Sequence, residues 1–559
     1  MLANGDFEKG GGRGIDGWTG TQWFELSDSA NRFPIDGFGC EWDPKLLYYP
    51  NAERGVGQSD IDLIQKRIGL LNIHRVRVMV LPEWFEPHND NDDPFEADMD
   101  KFLFEGDGAK NEMTSLWLYL DICERLGVKV TLTWWGAGNN TQNNWLAFPD
   151  CKEWLSAPND LDEMAENISV FLQHALNEKK YTCIDSVILQ NEPYYSFVVE
   201  GGKVDFEYYA KYYKTVHERL KADKLDGRVA LVGSDDSDDF AWYKKSVEAI
   251  SDYVAKFNSH CYRWTADDYK VGESIRNFVK RRVELTDKPF FLGEFGDGTT
   301  VGAYTTMSVD TYGRGLFLAV SAINSLKAGS TGSLYWPLHD VYYYSGDPND
   351  GSNGGLMKMG LFAYKDDDNW RVRPTYHSWG LVCNYMLPGS VVYDVCSIGD
   401  DSGVIDAVAA NTGDGKWTIL IASRSEAKQE VSIKADRIGG ELQLILYSED
   451  TVTADDAMLV PFASVKPENG VYTFTMPKKS FAVLSNADKD PRPAASENES
   501  IKSQPPSNAG DDAGKPQSDG LPFAVLAAAG VAAVALACFF AIKNKKSRKG
   551  KKYEKHEKK

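Results

Sequence analysis

No Cys-x-x-Cys pair and no Cys/His ligand spacing occurs among the eight cysteines of this 559-residue chain. They are scattered at 40, 123, 151, 183, 261, 383, 396 and 538, which argues against a thiol-held metal and against a disulfide framework. Positive charge is also scarce: 61 Lys and Arg face 82 Asp and Glu, and ten of the 61 crowd into 543–559. The rest of the chain is strongly acidic and lacks the basic face that phosphate binding needs, which argues against a nucleic-acid partner. The opening Met1-Leu2-Ala3-Asn4-Gly5 carries no basic, apolar leader. No Gly-rich phosphate turn follows the first apolar run, which counts against a dinucleotide-binding sheet.

What is present falls into segments. An apolar stretch of 22 residues without charge, 521–542, is long enough to span a bilayer. It is followed at once by Lys543, Lys545, Lys546, Arg548 and Lys549. The positive-inside rule then predicts a single-pass membrane helix with a cytoplasmic tail at 543–559 and everything before it outside the cell. An exterior domain needs a secretory signal, so one is expected to have been removed from this form of the sequence. Leu521-Pro522 resembles the start of a sortase signal, but Phe523-Ala524-Val525 breaks that pattern and favours a retained helix. Residues 487–520, rich in Pro, Ser, Asp, Asn and Lys, predict a flexible linker.

From 31 to 387 short apolar runs alternate with amphipathic stretches. The runs fall at 37–40, 73–80, 128–134, 184–190, 229–233, 253–259, 289–292 and 332–336. Helical patterns follow at 61–71, 114–126, 161–176, 206–220, 240–250, 273–283, 309–327 and 374–385. Eight such repeats predict an α/β fold, a (β/α)8 TIM barrel with long insertions. Between 388 and 486 short alternating runs separated by Gly, Asp and Asn turns predict a small all-β sandwich. Residues 1–30 are too few for a module and are expected either to add a strand to the sandwich or to be the remnant of a binding module.

Active sites of such barrels form where strands end at the C-terminal face. The fourth run ends in Asn191-Glu192-Pro193 and the seventh in Gly293-Glu294-Phe295-Gly296. A carboxylate after an apolar strand is costly unless it faces a polar cavity. Two from different strands are what glycoside cleavage demands, one as acid and one as nucleophile. Arg77 ends the second run and could keep Glu294 ionised, with Arg75 on the same strand face as its competitor. His260 and Tyr262 end the sixth run, Tyr262 suited to the nucleophile and His260 to sugar or to the acid. Trp336 closes the eighth run as a sugar-stacking floor. Trp134 and Trp135 end the third, as subsite or as core. The insertions 82–113 and 136–160, with Trp84, Trp145 and Trp154, are expected to shape subsites.

Val76-Arg77-Val78, Asn191-Glu192-Pro193, His260-Cys261-Tyr262, Gly293-Glu294-Phe295-Gly296 and Trp336, in this order, resemble the clan A glycoside hydrolases. The likeness is greatest to family 5, although that family usually has a His where this chain has Trp134-Trp135. Gln190 before Asn191 is more similar to family 30. The sandwich resembles the C-terminal β-domain of many clan A enzymes, and Asn4-Gly5-Asp6-Phe7-Glu8 with Gly17-Trp18 resembles the opening of some carbohydrate-binding modules. The resemblance implies retaining double displacement of a β-linked oligo- or polysaccharide, with Glu192 as acid/base, Glu294 as nucleophile and Asn191 on the sugar 2-hydroxyl. It calls for no cofactor or metal, and no protein partner is predicted. The alternatives are a transglycosidase on the same scaffold and a cell-surface protein that binds glycan without cleaving it.

Overall fold

The computed structural model describes residues 19–487 apart from 106–110, 139–143, 150, 152–155, 197–204, 264–269, 299–308, 345–352, 367–368 and 400–402. The membrane helix and basic tail expected after the linker lie outside the described residues, as does the linker from 488 on. Among the described residues no helix is long and apolar enough to cross a membrane.

The first strand, β1 (Thr19–Ala30), belongs to the second unit. Eight strands then close a barrel: β2 (Gly37–Glu41), β3 (Arg75–Val80), β4 (Lys129–Trp134), β5 (Ile184–Ile188), β6 (Ala230–Ser237), β7 (Lys256–Arg263), β8 (Phe290–Asp297) and β9 (Gly332–Tyr335). Neighbours pair in parallel throughout, and β9 returns to β2. The helices are α1 (Tyr49–Ala52), α2 (Gln58–Leu71), α3 (Asn111–Leu126), α4 (Leu161–Gln173), α5 (Pro193–Ser196), α6 (Phe206–Ala222), α7 (Phe240–Ile250), α8 (Val271–Val283), α9 (Tyr312–Lys327) and α10 (Pro374–Tyr385). Each apolar run read from the sequence overlaps one barrel strand, and each helical pattern overlaps one helix. Three helices start where an aspartate side chain accepts orphan backbone N–H groups: Asp160 for α4, Asp205 for α6 and Asp239 for α7.

Strand β3 shows how the barrel interior becomes polar. In Arg-Val-Arg-Val-Met-Val, successive side chains face opposite ways. Val76, Val78 and Val80 join the large core shared with the helices, whereas Arg75 and Arg77 share the other face. Arg75, at the start of the strand, binds Asp185 at 2.6 Å and Asp36 at 3.1 Å, with Lys256 also on Asp36 at 2.6 Å. That ion network holds Arg75 away from Glu294, so Arg77 alone of the two meets the seventh-run carboxylate. A small apolar cluster of Ile188, Val232, Phe291 and Leu334, from four strands, stands apart from the large core.

A two-stranded ribbon, β10 (Val341–Tyr342) with β11 (Leu356–Met357), follows the barrel. The second unit then adds β12 (Val391–Ser397), β13 (Ile405–Asn411), β14 (Trp417–Ser423), β15 (Gln429–Lys434), β16 (Leu442–Tyr447), β17 (Ala463–Val465), β18 (Val471–Met476) and β19 (Ser480–Ser485). With β1 they make a nine-stranded sheet in the order β17-β16-β19-β14-β13-β12-β1-β15-β18. Strand β1 runs antiparallel to β12 and parallel to β15, so residues 19–30 supply an interior strand. Leu442 and Leu444, near one end of that order, share an apolar cluster with Tyr472 and Phe474 at the other, so the sheet folds back over its own core as a sandwich.

Period-two alternation gives the sandwich two apolar faces. In β14, Trp417, Ile419 and Ile421 face the sandwich core, and Leu420 and Ala422 join the barrel core. In β19, Ala482 and Leu484 face inward, and Phe481 and Val483 pack with the barrel. One face of the sandwich sheet therefore belongs to the barrel's core, and the other encloses a core of its own. Phe481→Ala should cost about 3–5 kcal/mol, and barrel and sandwich should unfold in one transition when followed by urea titration with two probes. Two separated transitions would contradict the packing of that face into the barrel's core.

Candidate active site

The site is assembled around the guanidinium of Arg77, which is fully buried. Its Nη1 donates to Glu41 Oε2 at 3.0 Å and to Glu294 Oε2 at 3.2 Å. Its Nη2 donates to Asn191 Oδ1 at 2.7 Å and to Asp235 Oδ2 at 2.8 Å. The ring of Trp135 covers the guanidinium carbon at 4.6 Å, and the Trp336 ring lies 6.3 Å from that of Trp135. Two side chains in this set escaped the sequence reading. Glu41 directly follows the first apolar run and Asp235 lies two residues past the fifth. The strand-end rule that found Glu192 and Glu294 would have flagged both.

His260 is the second hub. Its Nδ1 lies 2.7 Å from Glu192 Oε1 and 3.6 Å from Glu294 Oε2, and its Nε2 lies 3.1 Å from Asp235 Oδ1. Burial by itself would lower the imidazole, but Asp235, Glu294 and Glu192 outweigh it and hold His260 well above the ordinary histidine value. It is thus an imidazolium that donates from both nitrogens. The Tyr262 hydroxyl donates to Glu294 Oε1.

Local backbone explains the motifs. A Cβ on Gly293 would overlap the Asn258 side-chain amide, and one on Gly296 would come within 2.9 Å of Tyr262 Cε1. The two glycines that bracket Glu294 thus leave room for the side chains beside it. Glu192 has φ +44°, a left-handed backbone that costs a residue with a Cβ roughly 1–3 kcal/mol. Its N–H is tied to the Asp235 carbonyl at 3.1 Å, and Pro193 opens α5 immediately after it. Behind the site Tyr209, Tyr212 and Tyr213 of α6 donate to the carbonyls of Ser234, Leu189 and Val232, which fixes β5 and β6 from outside.

Electrostatics sort the acids. Burial would raise Asp235, but Arg77 and His260 prevail and hold it at about 2. Glu41, fully buried, is pushed well above the ordinary carboxylate value by burial, with Asp43 and Glu294 adding to it against Arg77. Glu294 is also raised by burial and by Glu192, against the pull of His260, Arg77 and Tyr262. Arg77 and Tyr262 do touch Glu294, but burial outweighs the ionisation expected from them. One oxygen of each of Glu192 and Glu294 and one ring nitrogen of His260 lie within 4.8 Å of one another. A metal could bridge such a spacing, but both ring nitrogens of His260 are already engaged by carboxylates. The arrangement suits proton transfer and nucleophilic attack between two facing carboxyls.

The structure separates Trp134 from Trp135. Trp135 faces the site, whereas Trp134 on β4 turns outward with Val130 and Leu132. There it is fully buried, its ring edge-on to Phe171 and its indole N–H on Asn167 Oδ1 at 3.1 Å. The alternation of the strand allows one of two adjacent residues into the lumen, so Trp134 is a core residue and not a sugar contact. In the insertions, Trp84 is buried with Lys45 over its ring, and Trp145 is half-buried with its N–H on the Glu86 carbonyl at 3.0 Å. Trp154 lies outside the described residues.

Removing Arg77 strands buried carboxylates. Arg77→Met should cost about 3–5 kcal/mol at pH 7. In the wild type, Asp235 with its lowered folded value contributes stability that is present above its unfolded value and is lost only as pH falls through about 2. In the variant that contribution is gone at neutral pH, and protonation at acid pH discharges the stranded groups. The gap between the two proteins should narrow from pH 7 to pH 4 in urea titrations; a constant gap would contradict the network.

No family model matches the chain, and no curated protein matches it in sequence. Solved structures do match in fold. The catalytic domain of GH30 xylanase C from Talaromyces cellulolyticus is 14% identical with a TM-score of 0.59, covering 83% of this chain and 99% of that one. An endo-β1,6-glucanase is 14% identical, TM-score 0.54, covering 84% and 94%. AbfB, a family 51 α-L-arabinofuranosidase from Bifidobacterium longum, is 13% identical, TM-score 0.54, covering 84% and 99%. These shares exceed the barrel alone, and at such identities the likeness is one of fold: the chain is similar in fold to solved glycoside hydrolases.

Proposed function

We propose that this chain is a retaining glycoside hydrolase that cleaves β-glycosidic bonds of an oligo- or polysaccharide. The observation that carries the reading is the pair Glu192 and Glu294, with one oxygen of each within 4.8 Å of the other and His260 Nδ1 near both. Retaining enzymes hold their carboxyls about 5–5.5 Å apart, and inverting ones about 6.5–9.5 Å apart to admit a water. The glycosidase names of the fold neighbours support the same substrate class.

In this reading Glu192 protonates the leaving oxygen while Glu294 attacks the anomeric carbon and becomes a glycosyl ester. Glu192, now a carboxylate, takes a proton from water, and that water's oxygen displaces Glu294 at the same carbon. Arg77, His260 and Tyr262 receive the carboxylate charge that reappears on Glu294 when the ester breaks. Arg77 occupies Asn191 Oδ1, so the amide NH2 is the end that would meet the sugar 2-hydroxyl. Trp336, half-buried, with Trp135 beside it, offers the stacking floor. We further propose that 521–542 anchors the enzyme in the cell membrane with the barrel outside. The support is the uncharged 22-residue segment and the basic tail that follows it.

The test is the whole chain against aryl β-glycosides and β-linked polysaccharides, beside Glu192→Gln and Glu294→Gln. Wild-type turnover should release the β-anomer first by proton NMR. Glu192→Gln should lose about 10²–10⁴-fold, and Glu294→Gln should be inactive. Turnover surviving Glu294→Gln sinks the nucleophile assignment. Elongated products with added acceptor point to a transglycosidase, and binding without turnover to a glycan-binding protein.

A further inference from the structure

A second group of acids lies on the outer side of β3 and β4, away from Glu192 and Glu294 and unused by the proposed chemistry. Asp90 sits in the connection between β3 and α3, and Glu163 and Glu166 lie one turn apart on α4. One carboxylate oxygen from each of the three lies within 4.8 Å of the others. Glu86, 1% exposed, adds a fourth carboxylate to the same surroundings.

Each of these acids has at least one buried oxygen without a hydrogen-bond partner. Glu166 is 0% exposed, and neither of its oxygens has a hydrogen-bond partner. Asp90 Oδ1, Glu163 Oε2 and Glu86 Oε1 are likewise buried without one. The cation Arg219 approaches Glu166 Oε1 only to 4.0 Å, because it is engaged by Asp223 at 2.6 Å and by the Pro94 carbonyl at 2.5 Å. Asp93 and Asp92 add further negative charge. Burial first, and then mutual repulsion, push Glu86 up to about 8, Glu166 to about 7 and Glu163 to about 6. A shared cation would relieve both the repulsion and the missing partners.

The donor set is oxygen only, which selects a hard cation. Calcium takes 6–8 oxygens at about 2.3–2.6 Å, so two of its ligands lie at most about 5 Å apart, and the cluster meets that limit. Magnesium binds at about 2.0–2.1 Å, usually through one or two carboxylates. We propose that Asp90, Glu163 and Glu166 bind one calcium ion, which staples the β3–α3 connection to α4.

The staple would reach the barrel mouth. Asn167 donates to Glu86 Oε2 at 2.8 Å and accepts from Trp134, while the Glu86 carbonyl accepts from Trp145. An ion fixing this loop would therefore also fix the walls that carry Trp84 and Trp145.

The test uses the whole chain stripped with EGTA and then titrated with CaCl2 or MgCl2, read by calorimetry and by thermal unfolding. Calcium should bind at one site and raise Tm by about 3 °C or more at saturation. Glu166→Gln and Asp90→Asn should each abolish that rise. In the chelator both should be at least as stable as the stripped wild type, since each removes a repelling charge. Should one variant not fold, the other carries the comparison. No calcium heat, an undiminished rise in the variants, or an equal effect of MgCl2 would overturn the proposal. So would a variant less stable than the wild type in the chelator, because the acids would then hold the fold without an ion.

Discussion

A buried guanidinium must be surrounded by acceptors, and satisfying Arg77 organises the mouth of this barrel. Four side chains from four places in the chain converge on it: Glu41, Asn191, Asp235 and Glu294. Three of the four are carboxyl groups that the buried cation helps to hold in place, and they in turn offset the cost of burying it. His260 repeats the pattern between Glu192, Asp235 and Glu294. Asp235 bonds to both hubs, so the two cations and the two facing carboxyls form one network and not separate ion pairs.

That network explains the division of labour among chemically similar acids. Asp235 meets two cations and remains ionised; Glu41, deepest and next to other acids, is held up by burial. Glu294 lies between these extremes, raised by burial but contacted by Arg77, Tyr262 and His260. Those contacts give its charge a prepared environment whenever the charge is present. Preorganised donors of this kind require no rearrangement as charge develops.

Much of this was legible in the residues. Period-two and helical patterns located all eight barrel strands, because each strand is apolar on the face toward the helices. Asn191-Glu192-Pro193 and Gly293-Glu294-Phe295-Gly296 stood out because they interrupt apolar runs. Glu41 and Asp235 obey the same rule but lie in less distinctive surroundings; Asp235 follows Gly233-Ser234, which reads as the end of a strand that in fact continues to Ser237. Trp134 and Trp135 could not be sorted, since which of two neighbours faces the lumen depends on strand phase. The cluster of Asp90, Glu163 and Glu166 was invisible, because 72 residues of chain lie between its first two members and each alone reads as an ordinary surface acid.

In the proposed mechanism Glu294 forms a covalent bond to sugar. Incubation with 2-deoxy-2-fluoro-β-glycosides bearing a good leaving group, followed by intact-mass and peptide mass spectrometry, addresses that bond directly. One glycosyl adduct per chain is expected, on the peptide containing Glu294 and absent in Glu294→Gln. Steady hydrolysis of the parent glycosides with no adduct, or an adduct on Glu192, would contradict that mechanism.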